Sequence, residues 1–355
     1  MISKWESLFL LLLTLPILGH VVVLPIMLDV ARRDVWISIF LSLPFALLFG
    51  WAIYQIKMKY REKEIHSFLE QVLGKWITKI FMVGFSFYFL FLTIFSFASY
   101  VDFVYILFIP ETPTFAIVLW FMIFLIYGVI KGVKSIALTA GVLAFITMIT
   151  GHTITLLDTP LKEWGLLKPV LEYGWSPVFA GLLIIISIWV EMIFLLFLPL
   201  KTNQQKGIFL LWSIGILLNL LMMLSTSTGV ITIFGLGQAE NMLYPAQEVV
   251  RLINLGFVDR FDVYGMYLGG FGTYIRCCLY FRIALDLLAA KQSKVLRQNL
   301  FIILVFIVTG FTLFLSDDHL RVEKSMYVYA YSFILYPIPF LLLFIAKIRK
   351  GREIA

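Results

Sequence analysis

Residues 176–200 read SPVFAGLLIIISIWVEMIFLLFLPL, an apolar run interrupted by one carboxylate, Glu191, about fifteen residues from its first end and about nine from Leu200. Roughly 20 helical residues cross the roughly 30 Å hydrocarbon core of a bilayer, so this run has the length of a transmembrane helix. Comparable stretches follow one another on both sides of it from Leu8 to Ile345. About ten spans are predicted, near residues 7–29, 35–57, 80–108, 114–131, 135–157, 176–200, 207–235, 264–290, 298–316 and 326–347.

Composition agrees with an all-α integral membrane protein. With 61% hydrophobic and 14% charged residues, a soluble domain would own far more apolar surface than it could bury. Alternating strands of a membrane barrel are not seen. The stretch after Lys4 is too long for a secretion signal and no small-residue cleavage site follows, so it reads as a span. Cys277 and Cys278 are adjacent within one apolar segment, which suits neither an ordinary disulfide framework nor a metal motif. No linker divides residues 1–355, which read as a single polytopic domain.

The net charge of +7 does not point to nucleic acid, because the basic residues sit in short loops between spans and form no continuous face. Orientation explains them. A cytoplasmic N-terminus puts most of the 28 Lys and Arg residues inside, and predicts that both chain ends are cytoplasmic. Two connections are more than turns. Ile65, Phe68, Leu69, Val72, Leu73, Trp76 and Ile77 repeat at helical spacing, which predicts an amphipathic helix along the inner membrane surface. Residues 235–265 carry Tyr244, Pro245, Val249, Val250, Leu252 and Ile253 among charges, and read either as a short helix capping the outer side or as a solvated loop.

Polar groups left inside the hydrocarbon need a reason. Pro16 lacks a backbone donor and crowds the preceding turn, and Gly19 weakens the first helix further, so a break at Pro16 and Gly19 can free backbone groups near His20. Those groups can bind a ligand, or a plain kink can be satisfied by neighbouring helices. Glu191 needs a partner, a proton or water. The eighth span runs in the same direction and places Arg276 and Arg282 on either side of that depth. Asp286 lies four residues after Arg282 and can take it as an i,i+4 pair, which leaves Arg276 for Glu191, as a structural pair or as a gate. Gly269, Gly270 and Gly272 bare the outer half of that span for close packing or for a ligand. Asp102, beside Tyr100 and Tyr105, is expected at the interface, and Ser187 is expected to hydrogen-bond locally. The remaining histidines, His66, His152 and His319, are scattered, and nothing matches a nucleotide-binding loop, so the reading carries no metal, no cofactor, no ATP-driven pump and no enzyme.

Several short motifs in a fixed order resemble one family. They are Leu18-Gly19 followed by Leu24-Pro25, Ser67-Phe68-Leu69 through Leu73-Gly74-Lys75-Trp76-Ile77, Glu111-Thr112-Pro113, Val190-Glu191-Met192 leading to Phe197-Leu198-Pro199, Phe257-Val258-Asp259-Arg260-Phe261, and Ser316-Asp317-Asp318. Over almost its full length the chain resembles the B subunits of Gram-positive spore germinant receptors, the GerAB-like branch of the amino acid/polyamine/organocation permease superfamily. That resemblance implies a LeuT-like bundle of five plus five helices in inverted repeat, with the first and sixth unwound around a central site. It implies Leu18, Gly19, His20, Ser187 and Ile188 as ligand-lining positions. It further implies a sensor in the spore inner membrane, assembled with A and C subunits, that answers amino acids or nucleosides by triggering ion release and germination. Two departures stand out: His20 occupies a position where relatives often carry a small residue, and the sixth span has no proline or glycine at the expected break, only Gly181 earlier. Two other readings of the same residues are a gradient-driven amino acid permease with Glu191 as proton carrier, and a scaffold that holds partner subunits and binds nothing.

Overall fold

A computed structural model describes residues 1–15, 21–59, 65–201, 207–253, 261–290 and 292–352. Every named element among them is helical, and extended pairing is limited to an isolated bridge between Ile2 and Leu200. The first apolar stretch holds two helices, α1 (Lys4–Thr14) and α2 (Leu24–Ala31). A capping box starts α1: the Ser3 hydroxyl accepts from the Glu6 amide at 3.2 Å, and the Glu6 carboxylate accepts from the Ser3 amide at 2.8 Å. Pro25 sits in the first turn of α2, where a missing N–H costs nothing.

Five helices follow, α3 (Val35–Lys59), α4 (Ile65–Leu73), α5 (Lys75–Leu107), α6 (Thr114–Lys131) and α7 (Val133–Leu157). The sixth stretch is α8 (Trp175–Val190), a 3-10 turn at Glu191–Ile193, and α9 (Phe194–Phe197). Then come α10 (Ile208–Phe234), the short α11 (Leu236–Ala239) and α12 (Pro245–Arg251), α13 (Asp262–Leu288) and α14 (Lys294–Ser316). The last stretch is α15 (His319–Ala330), a 3-10 segment at Tyr331–Leu335, and α16 (Ile338–Arg352).

Two sequence expectations change here. The continuous helices expected near 176–200 and 326–347 are composite, while the first stretch, read as interrupted, holds the two helices α1 and α2. In the last, Pro337 and Pro339 lack N–H groups and crowd the carbonyls one turn back, which explains the 3-10 segment. The amphipathic helix expected through Ile77 stops at Leu73, because Gly74 takes φ +83°, a backbone state that ends α4; Trp76 and Ile77 begin α5. Residues 235–265 do include a short helix, α12, with Val249 and Val250 buried.

Eight stretches among the described residues are long and apolar enough to cross a membrane. The 27-residue α13 has the length, but its glycines, tyrosines and arginines dilute its hydropathy. Burial separates centre from rim: 83% of the window in Trp175–Phe197 is buried, against 22% in Lys294–Ser316, so the composite sixth stretch is interior and α14 peripheral. α13 packs most extensively on α5 and also meets α1, while α8 packs on α2, α3 and the 331–335 segment. Gly181 permits that approach, since a Cβ there would lie 2.5 Å from the Ala31 Cβ. Phe145, Trp120 and Phe306 remain widely exposed, as suits a surface bathed in acyl chains.

Candidate functional site

Among the described residues, one ion pair has both side chains fully buried, between Arg276 of α13 and Glu191 at the start of the 3-10 turn that follows α8. It is bidentate: Arg276 Nη2 donates to Glu191 Oε1 at 2.7 Å and Nη1 donates to Oε2. Two phenols complete the carboxylate's shell, Tyr280 donating to Oε2 at 2.8 Å and Tyr329 to Oε1 at 2.5 Å. The guanidinium is served equally well. Its Nε donates to the Ser96 hydroxyl at 2.5 Å, its Nη1 donates to the Thr14 carbonyl at 2.6 Å, and it lies 4.9 Å from the centre of the Tyr280 ring. Each charge therefore has the counter-charge and directional hydrogen bonds that make burial tolerable.

Helix geometry explains how the pieces meet. Arg276 and Tyr280 are one turn apart on α13 and so share a face. Thr14 is the last residue of α1, and a carbonyl at a helix C-terminus has no intrahelical donor, so Arg276 supplies one. Tyr329 stands at the end of α15, just before the 3-10 segment. The pair thus ties together the ends of three interrupted stretches, with Ser96 anchoring it to α5.

Other residues singled out from the sequence fall elsewhere. Arg282 pairs with Asp286 at 3.0 Å and donates to the Val129 carbonyl at 2.9 Å; Arg297 shares that carboxylate. Ser187 bonds locally to Leu183 at 3.3 Å, but it also donates to the Ala330 carbonyl at 2.6 Å and accepts from the Phe333 amide at 2.9 Å. Those bonds fasten α8 to the break in the last stretch. Ile188 is fully buried. Pro16, Leu18, Gly19 and His20 lie outside the described residues, as do Phe257 to Arg260. Gly270 serves packing, since a Cβ there would meet the Tyr100 hydroxyl at 2.5 Å.

Asp102, expected at the interface, is buried within the protein. It is 2% exposed and accepts from Tyr244 at 2.5 Å and from His319 at 2.7 Å, joining α5, the approach to α12 and the start of α15. Burial first, and the Asp102 carboxylate second, push the Tyr244 phenol well above its ordinary range, so it remains a donor. At the opposite end of the bundle, the Ile2 amide donates to the Pro199 carbonyl at 2.8 Å and the Lys201 amide to the Ile2 carbonyl at 3.0 Å. Lys57 adds a bond to the Leu198 carbonyl at 2.8 Å. The chain start is thereby stitched to the exit of the sixth stretch.

Tyr280 had a readable signal, its i,i+4 relation to Arg276. Ser96, Thr14 and Tyr329 had none, because their roles come from pairings remote in the chain. Among the described residues, no group of three or more His, Cys, Asp and Glu side chains is placed to hold a metal ion.

The chain matches the spore germination protein family, a family of spore permeases, over residues 1–319. It is 28% identical over 318 residues to Spore germination protein XB of Bacillus anthracis, covering 89% of this chain and 89% of that protein. Identity is 22% over 320 residues to Spore germination protein A2 of Bacillus subtilis, covering 89% and 87%. Spore germination protein KB of the same organism is 21% identical over 259 residues, covering 71% of this chain and 69% of its own length. Helices of membrane-crossing length and a match across nearly the whole chain lead to one conclusion: this is a multi-pass membrane protein that belongs to the spore germination protein family.

Proposed function

We propose that the chain is the transporter-like membrane subunit of a nutrient germinant receptor, which senses a small germinant, an amino acid or a nucleoside, and helps to trigger germination. The observation that carries the reading is the buried Glu191–Arg276 clasp, which holds the last carbonyl of α1 immediately before the segment expected to line a ligand. A ligand shifts a conformational equilibrium only through unequal affinity for the two shapes. A germinant carboxylate that takes up backbone donors near Gly19 would act five residues along the chain from Thr14, and so on the clasp. On this reading the helices form five plus five in inverted repeat, the chain ends face the cytoplasm, and A and C subunits complete the receptor in the spore inner membrane.

The permease reading, with Glu191 as proton carrier, gains less support, since Glu191 is fully buried and its oxygens already accept from Arg276 and two tyrosines. Deleting the chain in spores and applying a germinant panel tests the proposal. The expected result is a defect limited to particular nutrients, restored by the wild-type chain but not by Gly19→Val at equal abundance in the spore membrane. A defect spread evenly over all nutrients, or full rescue by Gly19→Val, would overturn it, and gradient-driven uptake of labelled amino acid into liposomes would favour the permease.

A further inference from the structure

The stretch Leu73-Gly74-Lys75-Trp76-Ile77, one of the motifs singled out in the sequence, takes no part in the clasp. Gly74, at φ +83°, turns the chain between the surface helix α4 and the first turn of α5. This corner lies near the end of the bundle where Lys57 meets Leu198, since α4 begins six residues after α3 ends. We propose that the corner and the exposed face of α5 that continues from it form a binding site for an anionic diacyl phospholipid. The inference does not depend on the germinant reading above.

The polar half comes first. Lys75 and Lys79 stand one turn apart on α5, so both leave the same side of it, and both are exposed. Glu70, the carboxylate nearest to them in sequence, pairs with His66 at 3.6 Å. From α16, the exposed Arg349 donates to the Gln71 carbonyl at 2.9 Å, four residues before Lys75, and a guanidinium has further N–H donors beyond the one spent there. Three cations thus gather where α4 packs on both α5 and α16. Each such charge near a membrane surface raises the affinity for an anionic lipid by roughly fivefold.

The apolar half continues along the helix. Trp76, Ile80, Val83 and Phe87 recur at the spacing of a single helical face, and all four are exposed. Trp76, at 81%, is the most exposed large apolar side chain among the described residues, and an indole between charged and apolar groups is an anchor at headgroup level. Gly84 lies within the stripe, and a Cβ there would meet nothing within 4 Å, so the stripe carries a notch that seats an acyl chain. From Lys75 to Phe87 the helix rises about 18 Å, close to the roughly 15 Å depth of one hydrocarbon leaflet. A soluble anion would satisfy the cations and leave the stripe unused. A zwitterionic lipid would cover the stripe but bring the cations no net counter-charge.

Lipid titration of the full chain in detergent micelles, read by native mass spectrometry, tests this, with dioleoylphosphatidylglycerol and dioleoylphosphatidylcholine as the probes. The anionic lipid is expected to bind at least about tenfold tighter than the zwitterionic one. Lys75→Gln/Lys79→Gln should weaken the anionic lipid alone and bring the two within about threefold of each other. Both lysines are exposed, so the variant is expected to fold. Gly84→Leu fills the notch and should weaken both lipids, whereas Lys168→Gln, an exposed lysine in the connection between α7 and α8, should change neither. Equal affinity for the two lipids in the wild-type chain, as a face made for a protein helix would give, would overturn the assignment. So would an anionic preference unchanged in Lys75→Gln/Lys79→Gln, or lost equally in Lys168→Gln, which would reduce the effect to net charge. Unchanged affinities in Gly84→Leu would overturn the seat assigned to the acyl chain.

Discussion

Replacing Glu191 by glutamine tests the clasp directly. The carboxylate accepts from four donors: two guanidinium N–H groups and the phenols of Tyr280 and Tyr329. A glutamine amide keeps one acceptor oxygen and turns an NH2 donor toward the others, so donors meet donors and Arg276 is left buried without a counter-charge. Breaking a buried pair in this way costs about 3–5 kcal/mol, or about two to four orders of magnitude in the folding equilibrium. Arg276→Met should cost less, because the two phenols still serve the carboxylate. In the Glu191→Gln/Arg276→Met protein the losses should not add, and a coupling energy of at least about 1.5 kcal/mol is expected for charges this close. Reversible unfolding in mixed micelles, followed by tryptophan fluorescence, suits the measurement, since Trp189 and Trp212 are fully buried and Trp189 lies two residues from the site. A cost below about 1 kcal/mol for Glu191→Gln, or additivity within about 0.5 kcal/mol, would refute the argument.

Three further outcomes can be checked in the same assay or beside it. Tyr329→Phe deletes a hydrogen bond to an ionised acceptor and should destabilise the protein by about 1.5–3 kcal/mol, with Tyr280→Phe in the same range; effects indistinguishable from zero would mean that the phenols are bystanders. Gly181→Val drives a side chain into Ala31 and Ser38 and should cost about 1–3 kcal/mol, whereas Gly84→Ala, with nothing within 4 Å, should be far milder. Asp102→Ala removes the shared acceptor of Tyr244 and His319, and hydrogen exchange in α12 and the first turn of α15 should accelerate while α3 stays unchanged; equal protection in both proteins would show that Asp102 holds neither element.

Hydropathy announces helices of membrane length because each span must satisfy its own backbone bonds in lipid, whatever its neighbours do. Interruptions were legible only where a local cause existed. Pro25 marks the start of α2 and Gly74 the end of α4, but the change to a 3-10 turn at Glu191 has neither proline nor glycine beside it. Its cause is tertiary, in the donors that converge on the carboxylate. Depth along parallel spans was enough to put Arg276 within reach of Glu191, and i,i+4 spacing enough to join Arg282 to Asp286. Asp102 shows the opposite case: nothing beside it in sequence announces its partners, Tyr244 and His319, which lie 142 and 217 residues away.

Stability alone is a poor reason for such a clasp to exist, since apolar residues of similar volume often replace a buried ion pair without loss. Its position offers a better one. Glu191, Thr14 and Tyr329 each stand where a helical stretch is interrupted, and interruptions are where stretches can change direction without breaking a regular ladder of bonds. A bidentate contact among three such ends is made in one arrangement and lost in another, which is the property that lets a ligand bias the choice between them. The Glu191→Leu/Arg276→Met protein removes both charges together and so avoids an orphaned ion, although the hydroxyls of Tyr280, Tyr329 and Ser96 lose partners. It should therefore reach the membrane and fold, yet spores carrying it should either ignore the germinant or germinate without it. A normal dose response in those spores would reduce the clasp to packing, however large the coupling energy measured in micelles.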